Sequence, residues 1–465
     1  MKMFSGRVVT GLVLMNLLVG CVGSSSGSAI KSTLADGEAE KIYETLLLSN
    51  ESETSETVNS VSDLDKLDDS VTGIVVDVST CVDNDDGKAD TLDLSRFTNL
   101  ESFVGYSLDL GTLNVSENEN LKVLKLDGGE VDHPINLSGC PLLQNLSLRY
   151  GTFNLTSVDL SSNPDLVNCV IEDATLNSLN VHNNPNLIGL ELNAPKLEEL
   201  DVTDNDKLQH LTLQADKIAT VDVSENPNLT GLTLNCGLES LDVSNNTKLI
   251  TLGARESALT SLDCSKNTAL EVLNAEECPK LTDLNINGLT TLTEVHVNGC
   301  ALTALDLSAN ENLTYLHAQD GKLTSLDLSG CKKLELVDAE NNALTEIDLS
   351  DNAALEEVTL SSNKLTEVNV ENDTKLKTLE LSDNELSDFD FDTCVKLKKL
   401  TLRNNKLSGT LDMSMLKKLR TLDVRGNTDL TKVIVPETVT GFKGKKISWK
   451  DCKYESDSTT TITTK

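Results

Sequence analysis

Two histidines and two cysteines in the middle of the chain have types and spacings that could do chemistry. His296 and His317 are 21 residues apart, and Cys300 follows His296 by four positions. Four positions of an extended segment span about 13 Å, which is too far for a histidine to activate a thiolate. Two histidines could also bind a metal, but the pair lacks a clear third ligand. We therefore expect no enzymatic activity, no cofactor and no metal.

The histidines belong to a repeat that must position them. From Leu334 to Asn405 the chain divides into 21-residue lines, each holding two strand-like phrases. The first phrase is L-x-x-L-x-L-x-x-N, and the second ends in L-(D/N)-L. First phrases begin at leucines 100, 121, 143, 166, 187, 208, 229, 249, 270, 292, 313, 334, 355, 376, 397 and 419. A fixed period of this length predicts a solenoid of about 16 coils, with short parallel strands on both sides.

Alternation along the first phrase places its third, fifth and seventh residues on the outer face. Outward groups cluster in three neighbouring coils, and we predict that this cluster binds a partner: Asn274, His296, Asn298, Tyr315, His317 and Gln319. A plain polar surface is the alternative interpretation. A second cluster, over the first coils, contains Tyr106, Lys125, Arg149 and Tyr150.

These phrases resemble the leucine-rich repeat family, in particular its irregular 21-residue bacterial class, LxxLxLxxNxLxxLDLxxNxx. The coil LTYLHAQDGKLTSLDLSGCKK, from Leu313, matches the pattern, whereas the coils at Leu100 and Leu166 lack its asparagine. The resemblance implies a scaffold that binds partners, without naming one.

The cysteines follow the repeat. Cys140, Cys331 and Cys394 replace the asparagine of the second phrase, and Cys278 and Cys300 replace that of the first. We expect small buried residues rather than a disulfide framework. A bridge between Cys278 and Cys300 stays open, because they share a column in adjacent coils.

The second phrase also carries an outward Asp or Asn in every coil, which favours a structural role, with cation binding as the alternative. Turn N–H groups and serine hydroxyls should offset the repulsion between these carboxylates. The segment 83–87 resembles part of a calcium loop, but Val82 stands where the first acidic ligand belongs, so we expect an acidic turn.

A net charge of −35 argues against nucleic-acid binding, which needs a basic face. Residues 395–450 are the exception, with 14 Lys and Arg against four acids. This basic end has two interpretations: solvation of the last coils, or docking of a partner.

The chain begins with a segment typical of bacterial lipoproteins. Lys2 and Arg7 precede an apolar run, which ends in Leu-Val-Gly-Cys at Cys21 and resembles a lipobox. We predict a lipoprotein signal peptide at 1–21, a tether and helical N-terminal cap at 22–72, the solenoid at 73–432, and a C-terminal cap with a disordered tail at 433–465. Val22 after the cysteine favours the outer membrane of a Gram-negative bacterium, and possible exposure on the cell surface stays open.

These observations predict a monomeric, membrane-anchored scaffold or adhesin that binds an unknown protein through its strand face. The alternative is a glycan-binding surface protein with a polysaccharide partner, although outward aromatic platforms are scarce.

Replacing Cys21 with Ser tests the anchor. Without the thiol no thioether to diacylglycerol can form, so the mature chain should leave the membrane fraction. Immunoblots of washed membranes measure this. A variant that still sediments with membranes after a high-salt wash would show that the anchor lies elsewhere.

Overall fold

The computed structural model describes residues 55–77, 88–440, 446–448 and 453–465. It divides into two units, Met1–Ala254 and Arg255–Lys465. Several predicted features lie outside the described residues: the lipid attachment site Cys21, residues 22–54 of the tether and N-terminal cap, and the acidic turn at 83–87.

The described residues of unit 1 form strands and one short helix. Its strands are β1 (Ser55–Val58), β2 (Gly73–Asp77), β3 (Lys88–Asp93), β4 (Ser102–Asn114), β5 (Val123–Val131), β6 (Asn145–Arg149), β7 (Ser157–Asp159), β8 (Asn168–Glu172), β9 (Ser178–Asn180), β10 (Gly189–Asn193), β11 (His210–Ala215), β12 (Gly231–Cys236) and β13 (Thr251–Gly253). Strands of the first phrases pair in parallel in repeat register, as Leu211 with Leu232. Strands β7 and β9 pair in parallel on the second-phrase side.

Unit 2 repeats this arrangement. Its strands are β14 (Ser261–Asp263), β15 (Val272–Asn274), β16 (Asp283–Asn285), β17 (Glu294–His296), β18 (Ala304–Asp306), β19 (Tyr315–His317), β20 (Ser325–Asp327), β21 (Leu336–Asp338), β22 (Glu346–Asp348), β23 (Glu357–Thr359), β24 (Glu367–Asn369), β25 (Thr378–Glu380), β26 (Lys399–Thr401), β27 (Ser408–Asp412), β28 (Thr421–Asp423), β29 (Asp429–Val435), β30 (Thr438–Thr440), β31 (Lys446–Ser448), β32 (Lys453–Glu455) and β33 (Thr461–Thr464). All described pairings here are parallel except the β30–β31 hairpin. The predicted parallel solenoid with strands on both sides is confirmed.

The expected N-terminal helical cap takes a different form among the described residues. Val58 ends strand β1, and only Val61–Lys66 is helical, as a single 3-10 helix. Strand β1 pairs in parallel with β2, so this segment continues the stack of strands. Val58, Val61, Leu64, Leu67 and Val71 recur at three- and four-residue spacing, which by itself favours an α-helix. The open edge of β2 competes for the backbone of the segment and binds it as a strand.

Within 433–465, where the sequence predicts a C-terminal cap and a disordered tail, residues 453–465 contain two short strands. Strand β32 pairs with β28, and β33 pairs with β29. Threonine and isoleucine in the last strand have high β-propensity, and the edges of β28 and β29 offer free hydrogen-bonding groups.

Leucine columns form the core of each unit. Leu334, Leu355, Leu376 and Leu397 begin successive first phrases, and each is fully buried. Burial of one such side chain contributes about 1.5–3 kcal/mol. A single coil exposes both of its edges, so this burial requires its neighbours.

Buried asparagines link the turns of one coil to the next. Asn226 donates its side-chain N–H groups to the carbonyls of Val202 and Asn205, each at 2.9 Å. In the first-phrase ladder the Asn363 side chain donates to the Ala339 carbonyl at 2.9 Å. The side-chain amide oxygen of Asn363 accepts from the Leu344 N–H at 3.0 Å. These bonds satisfy backbone groups that would otherwise be buried without partners.

Cysteines occupy the predicted ladder positions. The thiols of Cys140 and Cys331 donate to the carbonyls of Val115 and Leu307, at 3.4 and 3.2 Å. Eight cysteines among the described residues are buried, Cys278 and Cys300 among them. The ladder places them for packing and hydrogen bonding.

The outward aspartates of the second phrase are stabilised locally. The Asp222 carboxylate accepts from the Ser224 N–H at 2.9 Å. The bonds that it accepts from the Ser224 backbone and hydroxyl hold the pKa of Asp222 below its usual value, although Asp201 and Asp242 oppose this shift. The structural interpretation of this column is thus supported by its hydrogen bonds.

Asp373 replaces a ladder asparagine and makes the fold sensitive to pH. It is fully buried, and neither carboxyl oxygen has a hydrogen-bond partner. Asn352, one coil earlier, donates to two carbonyls, and only a protonated carboxyl could donate in its place. Burial, reinforced by the charge of Asp348, raises the pKa of Asp373 to about 8.

Replacing Asp373 with Asn should therefore stabilise the protein. In the unfolded chain this group titrates near 3.8, so the stability of the wild type falls as pH rises from about 4 to about 8. We expect a gain on the order of 3 kcal/mol at pH 7, shrinking toward zero near pH 4. Urea unfolding at both pH values measures it, with the exposed Asp351→Asn as control. An equal effect at both pH values would contradict a buried neutral carboxyl.

Candidate functional site

The predicted partner-binding cluster is assembled by three adjacent strands of unit 2. Strands β15, β17 and β19 pair so that Asn274, His296 and His317 lie directly beside one another. Asn298 and Gln319 follow two residues after the two histidines, and Tyr315 begins β19. The repeat register therefore brings the six predicted residues together.

Their exposure differs from the prediction. Asn274 is 2% exposed and His296 is 6% exposed, so neither offers an accessible surface. Tyr315, His317, Asn298 and Gln319 are half-buried. Neighbouring strands are only about 4.8 Å apart, and large side chains in adjacent columns cover one another. The alternation of inward and outward residues along a strand predicted which way each side chain points. It did not predict which neighbouring side chains cover it.

Ring stacking and carboxylates surround His296. Its ring is stacked on that of His317, with centroids 4.9 Å apart and planes 9° from parallel. A Glu276 carboxylate oxygen lies 3.6 Å from Nδ1, and a Glu294 oxygen lies 3.6 Å from Nε2. The imidazole is thus held from both edges and one face.

A polar network extends from Glu276. Arg255 Nε lies 3.2 Å from one carboxylate oxygen, and the Asn298 amide donates to the other at 2.8 Å. The Asn274 side-chain oxygen accepts from the Glu276 N–H at 3.1 Å. Arg255, Glu276 and Glu294 were missed as members of the cluster. The signal that could have found them was their position in columns adjacent to the two histidines.

The two histidines have opposite electrostatic states. Burial lowers the pKa of His296, but the flanking carboxylates of Glu276 and Glu294 together outweigh it and raise that pKa to about 9. Burial, with the charge of His296 beside it, lowers the pKa of His317 to about 4. At neutral pH a charged imidazolium is therefore stacked on a neutral imidazole.

The outer part of the cluster is partly accessible to solvent. The Tyr315 hydroxyl donates to a Glu335 carboxylate oxygen at 3.4 Å, in an exposed position. Within the described ranges, no group of three or more His, Cys, Asp or Glu residues is arranged to hold a metal ion. The geometry is that of a fixed polar surface with an aromatic edge.

The second predicted cluster lies in unit 1 and is more heavily paired. The Lys125 ammonium lies 5.2 Å from the centre of the Tyr106 ring. Arg149 is 8% exposed, and its Nη2 lies 2.5 Å from Glu191. Tyr150 is 66% exposed, and its φ of 56° places it in the left-handed region. Only Tyr150 offers a large accessible side chain here.

Comparisons with known proteins show which solved structures have a similar fold. No family model and no curated protein matches the chain. The leucine-rich effector YopM from Yersinia pestis is similar, at 25% identity over 68% of this chain and 86% of that one, with a TM-score of 0.53. The ectodomain of the plant receptor kinase GASSHO1/SCHENGEN3 from Arabidopsis thaliana, in complex with CASPARIAN STRIP INTEGRITY FACTOR 2, shares 19% identity over 80% of this chain and 54% of that one, with a TM-score of 0.50.

The chain therefore has the leucine-rich repeat fold, as its phrases predicted. Its assignment to the 21-residue bacterial class stays a prediction. Among the described residues, no helix is both long enough and apolar enough to cross a membrane.

Replacing His296 with Gln tests the buried network. The pKa of His296 is raised above its unfolded value of 6.5, so its contribution to stability is fully present below pH 6.5 and is lost as pH rises through about 9. The variant should lose on the order of 2–3 kcal/mol at pH 6 and much less at pH 10. Urea unfolding at the two pH values measures this. The exposed His182→Gln is the control, and a loss that does not change with pH would argue against a charged His296.

Proposed function

We propose that this chain is a lipid-anchored bacterial scaffold protein that binds another protein through the strand face of unit 2. The site comprises the exposed parts of Tyr315, His317 and Gln319. The observation that carries the proposal is the stacking of His317 on His296, whose two ring nitrogens are flanked by the carboxylates of Glu276 and Glu294. A partner would meet side chains that are already ordered.

Rigid support matters because ordering a side chain on binding costs free energy. Interface hot spots favour aromatic residues set among groups that exclude water. Tyr315 is such a residue, and the stacked imidazole beside it loses little further freedom when a partner binds. A structure of the same fold supports a binding role for the repeats, since the plant ectodomain was solved in complex with CASPARIAN STRIP INTEGRITY FACTOR 2.

The membrane anchor is the second part of the proposal. It is supported by the sequence Leu-Val-Gly-Cys ending at Cys21 and by the Ser- and Gly-rich stretch that follows it. Lipid on this cysteine would hold the repeats near a membrane. We propose that this membrane is the outer membrane of a Gram-negative bacterium. An adhesin role follows if the repeats face the outside of the cell.

A pair of truncations tests the binding face. Tyr315→Ala with His317→Ala removes the aromatic edge and the stacked ring, so affinity for the partner should fall by about 2 kcal/mol or more. Tyr106→Ala with Tyr150→Ala is the matched pair on unit 1 and should leave affinity unchanged. Calorimetry or surface plasmon resonance with the captured partner gives the affinities.

The partner is captured by a photo-reactive residue placed at position 319 of the cluster. Position 325, exposed at the start of β20 in the same coil, is the control for the second-phrase side. A partner cross-linked from 325 but not from 319 would contradict the proposed face. Retained affinity in the Tyr315 and His317 double variant, with loss in the unit 1 pair, would move the site to unit 1.

A further inference from the structure

The last coils of unit 2 concentrate positive charge on an otherwise acidic protein. Seven side chains from three consecutive coils form what we call the basic patch: Lys375, Lys377, Lys396, Lys398, Lys417, Lys418 and Arg420. They flank the leucines that begin three first phrases, Leu376, Leu397 and Leu419. The repeat therefore stacks them in columns.

Backbone hydrogen bonds define one of these columns. The Lys398 N–H donates to the Lys377 carbonyl at 2.8 Å, and the Arg420 N–H donates to the Lys398 carbonyl at 2.8 Å. Three cationic side chains thus start from adjacent rungs, about 4.8 Å apart. Like charges at this spacing repel. Without a ligand, this repulsion lowers the stability of the stacked coils.

Most of the patch is not neutralised within the described part of the chain. Lys377 pairs with Glu356. Five exposed lysines make no ion pair with any described residue: Lys375, Lys396, Lys398, Lys417 and Lys418. Two exposed acids, Glu371 and Asp392, precede Lys375 and Lys396 by four residues. The patch therefore keeps an excess of positive charge that a ligand can meet.

Apolar side chains accompany these charges. Val395, which precedes Lys396, is 44% exposed, and Met415, two residues before Lys417, is 37% exposed. They are two of the five large hydrophobic side chains that are exposed in the described ranges, the others being Leu142, Tyr150 and Tyr454. A purely charged ligand would leave both of them in water, whereas a polypeptide could cover them with an apolar residue of its own.

The length of the patch limits the ligand. Beyond Lys377 the same column continues as Glu356 and Glu335, linked by backbone bonds of 2.8 Å. A long polyanion that followed the column would meet these carboxylates. The cationic rungs span only about 10 Å, which an extended peptide covers in about three residues.

We propose that the basic patch docks a short acidic segment of a partner protein, with two or three carboxylates and at least one apolar side chain. Charge complementarity and the exposed Val395 and Met415 favour this ligand over a polysaccharide, for which the patch offers no aromatic platform. The site is separate from the Tyr315 face and does not depend on it.

The test measures binding of fluorescent peptides to the full chain by anisotropy at low salt. The probe is (Glu-Glu-Leu) repeated three times, and (Glu-Glu-Ser) repeated three times is its polar match. The triple variant Lys396→Glu, Lys398→Glu and Lys418→Glu should bind the probe at least about tenfold more weakly. Its control, Lys322→Glu, Lys332→Glu and Lys364→Glu, makes the same charge change at exposed lysines elsewhere in unit 2 and should change affinity by less than about twofold.

A second pair of variants tests the apolar contribution. Val395→Ser with Met415→Ser should remove the preference for the leucine peptide and leave binding of the serine peptide unchanged. Far-ultraviolet circular dichroism and urea unfolding confirm that each variant is folded.

Three results would overturn the proposal. The first is no binding of either peptide by the wild type. The second is equal loss in the two triple variants, which would show an effect of net charge alone. The third is tighter binding of polygalacturonate or of phosphatidylglycerol vesicles than of the leucine peptide, lost in the patch variant, which would assign the surface to a polysaccharide or a membrane.

Discussion

Hydrogen bonding between one coil and the next is the constraint on which the structure depends. A coil of about 21 residues has too little interior to bury its own turns, yet its leucines must leave water. Asparagine side chains such as Asn226 and Asn363 solve this by donating to the turn carbonyls of the preceding coil. Each inward leucine is then buried because its neighbouring coil is held at strand spacing.

The same spacing explains the chemistry of the outer face. Any side chain there lies about 4.8 Å from its counterpart in the next coil, so charges and rings in one column interact strongly. In unit 2 this gives two different results. His296 and Glu276 form a buried, mutually compensated pair on which the half-buried His317 stacks, whereas the basic patch keeps an excess of positive charge. A compensated network supports a rigid binding surface, and an uncompensated one attracts an oppositely charged ligand.

Residues that replace the ladder asparagine show which other side chains the repeat tolerates at this position. Cysteine keeps a weak donor, and Cys331 still bonds to the Leu307 carbonyl. Aspartate has the right size but the wrong charge, so Asp373 is neutral at the pH where other carboxyls are ionised. Position in the ladder, rather than residue type alone, sets its protonation.

Much of the fold was determined by the sequence alone. The leucine register gave the coils, the parallel strands on both sides, the buried ladder cysteines and the adjacency of Asn274, His296 and His317. This succeeded because a repeat makes residues one period apart neighbours in space, so contacts can be read from spacing.

Tertiary structure decided what the period does not encode. The strand at Ser55–Val58 and the strands after residue 453 form because open sheet edges bind nearby segments, whatever the local pattern favours. The burial of His296 depends on which large side chains happen to fill the adjoining columns, and the state of its proton depends on Glu276 and Glu294. Alternation fixes the face from which a side chain projects, but only the packed neighbours fix how much water and charge it meets there.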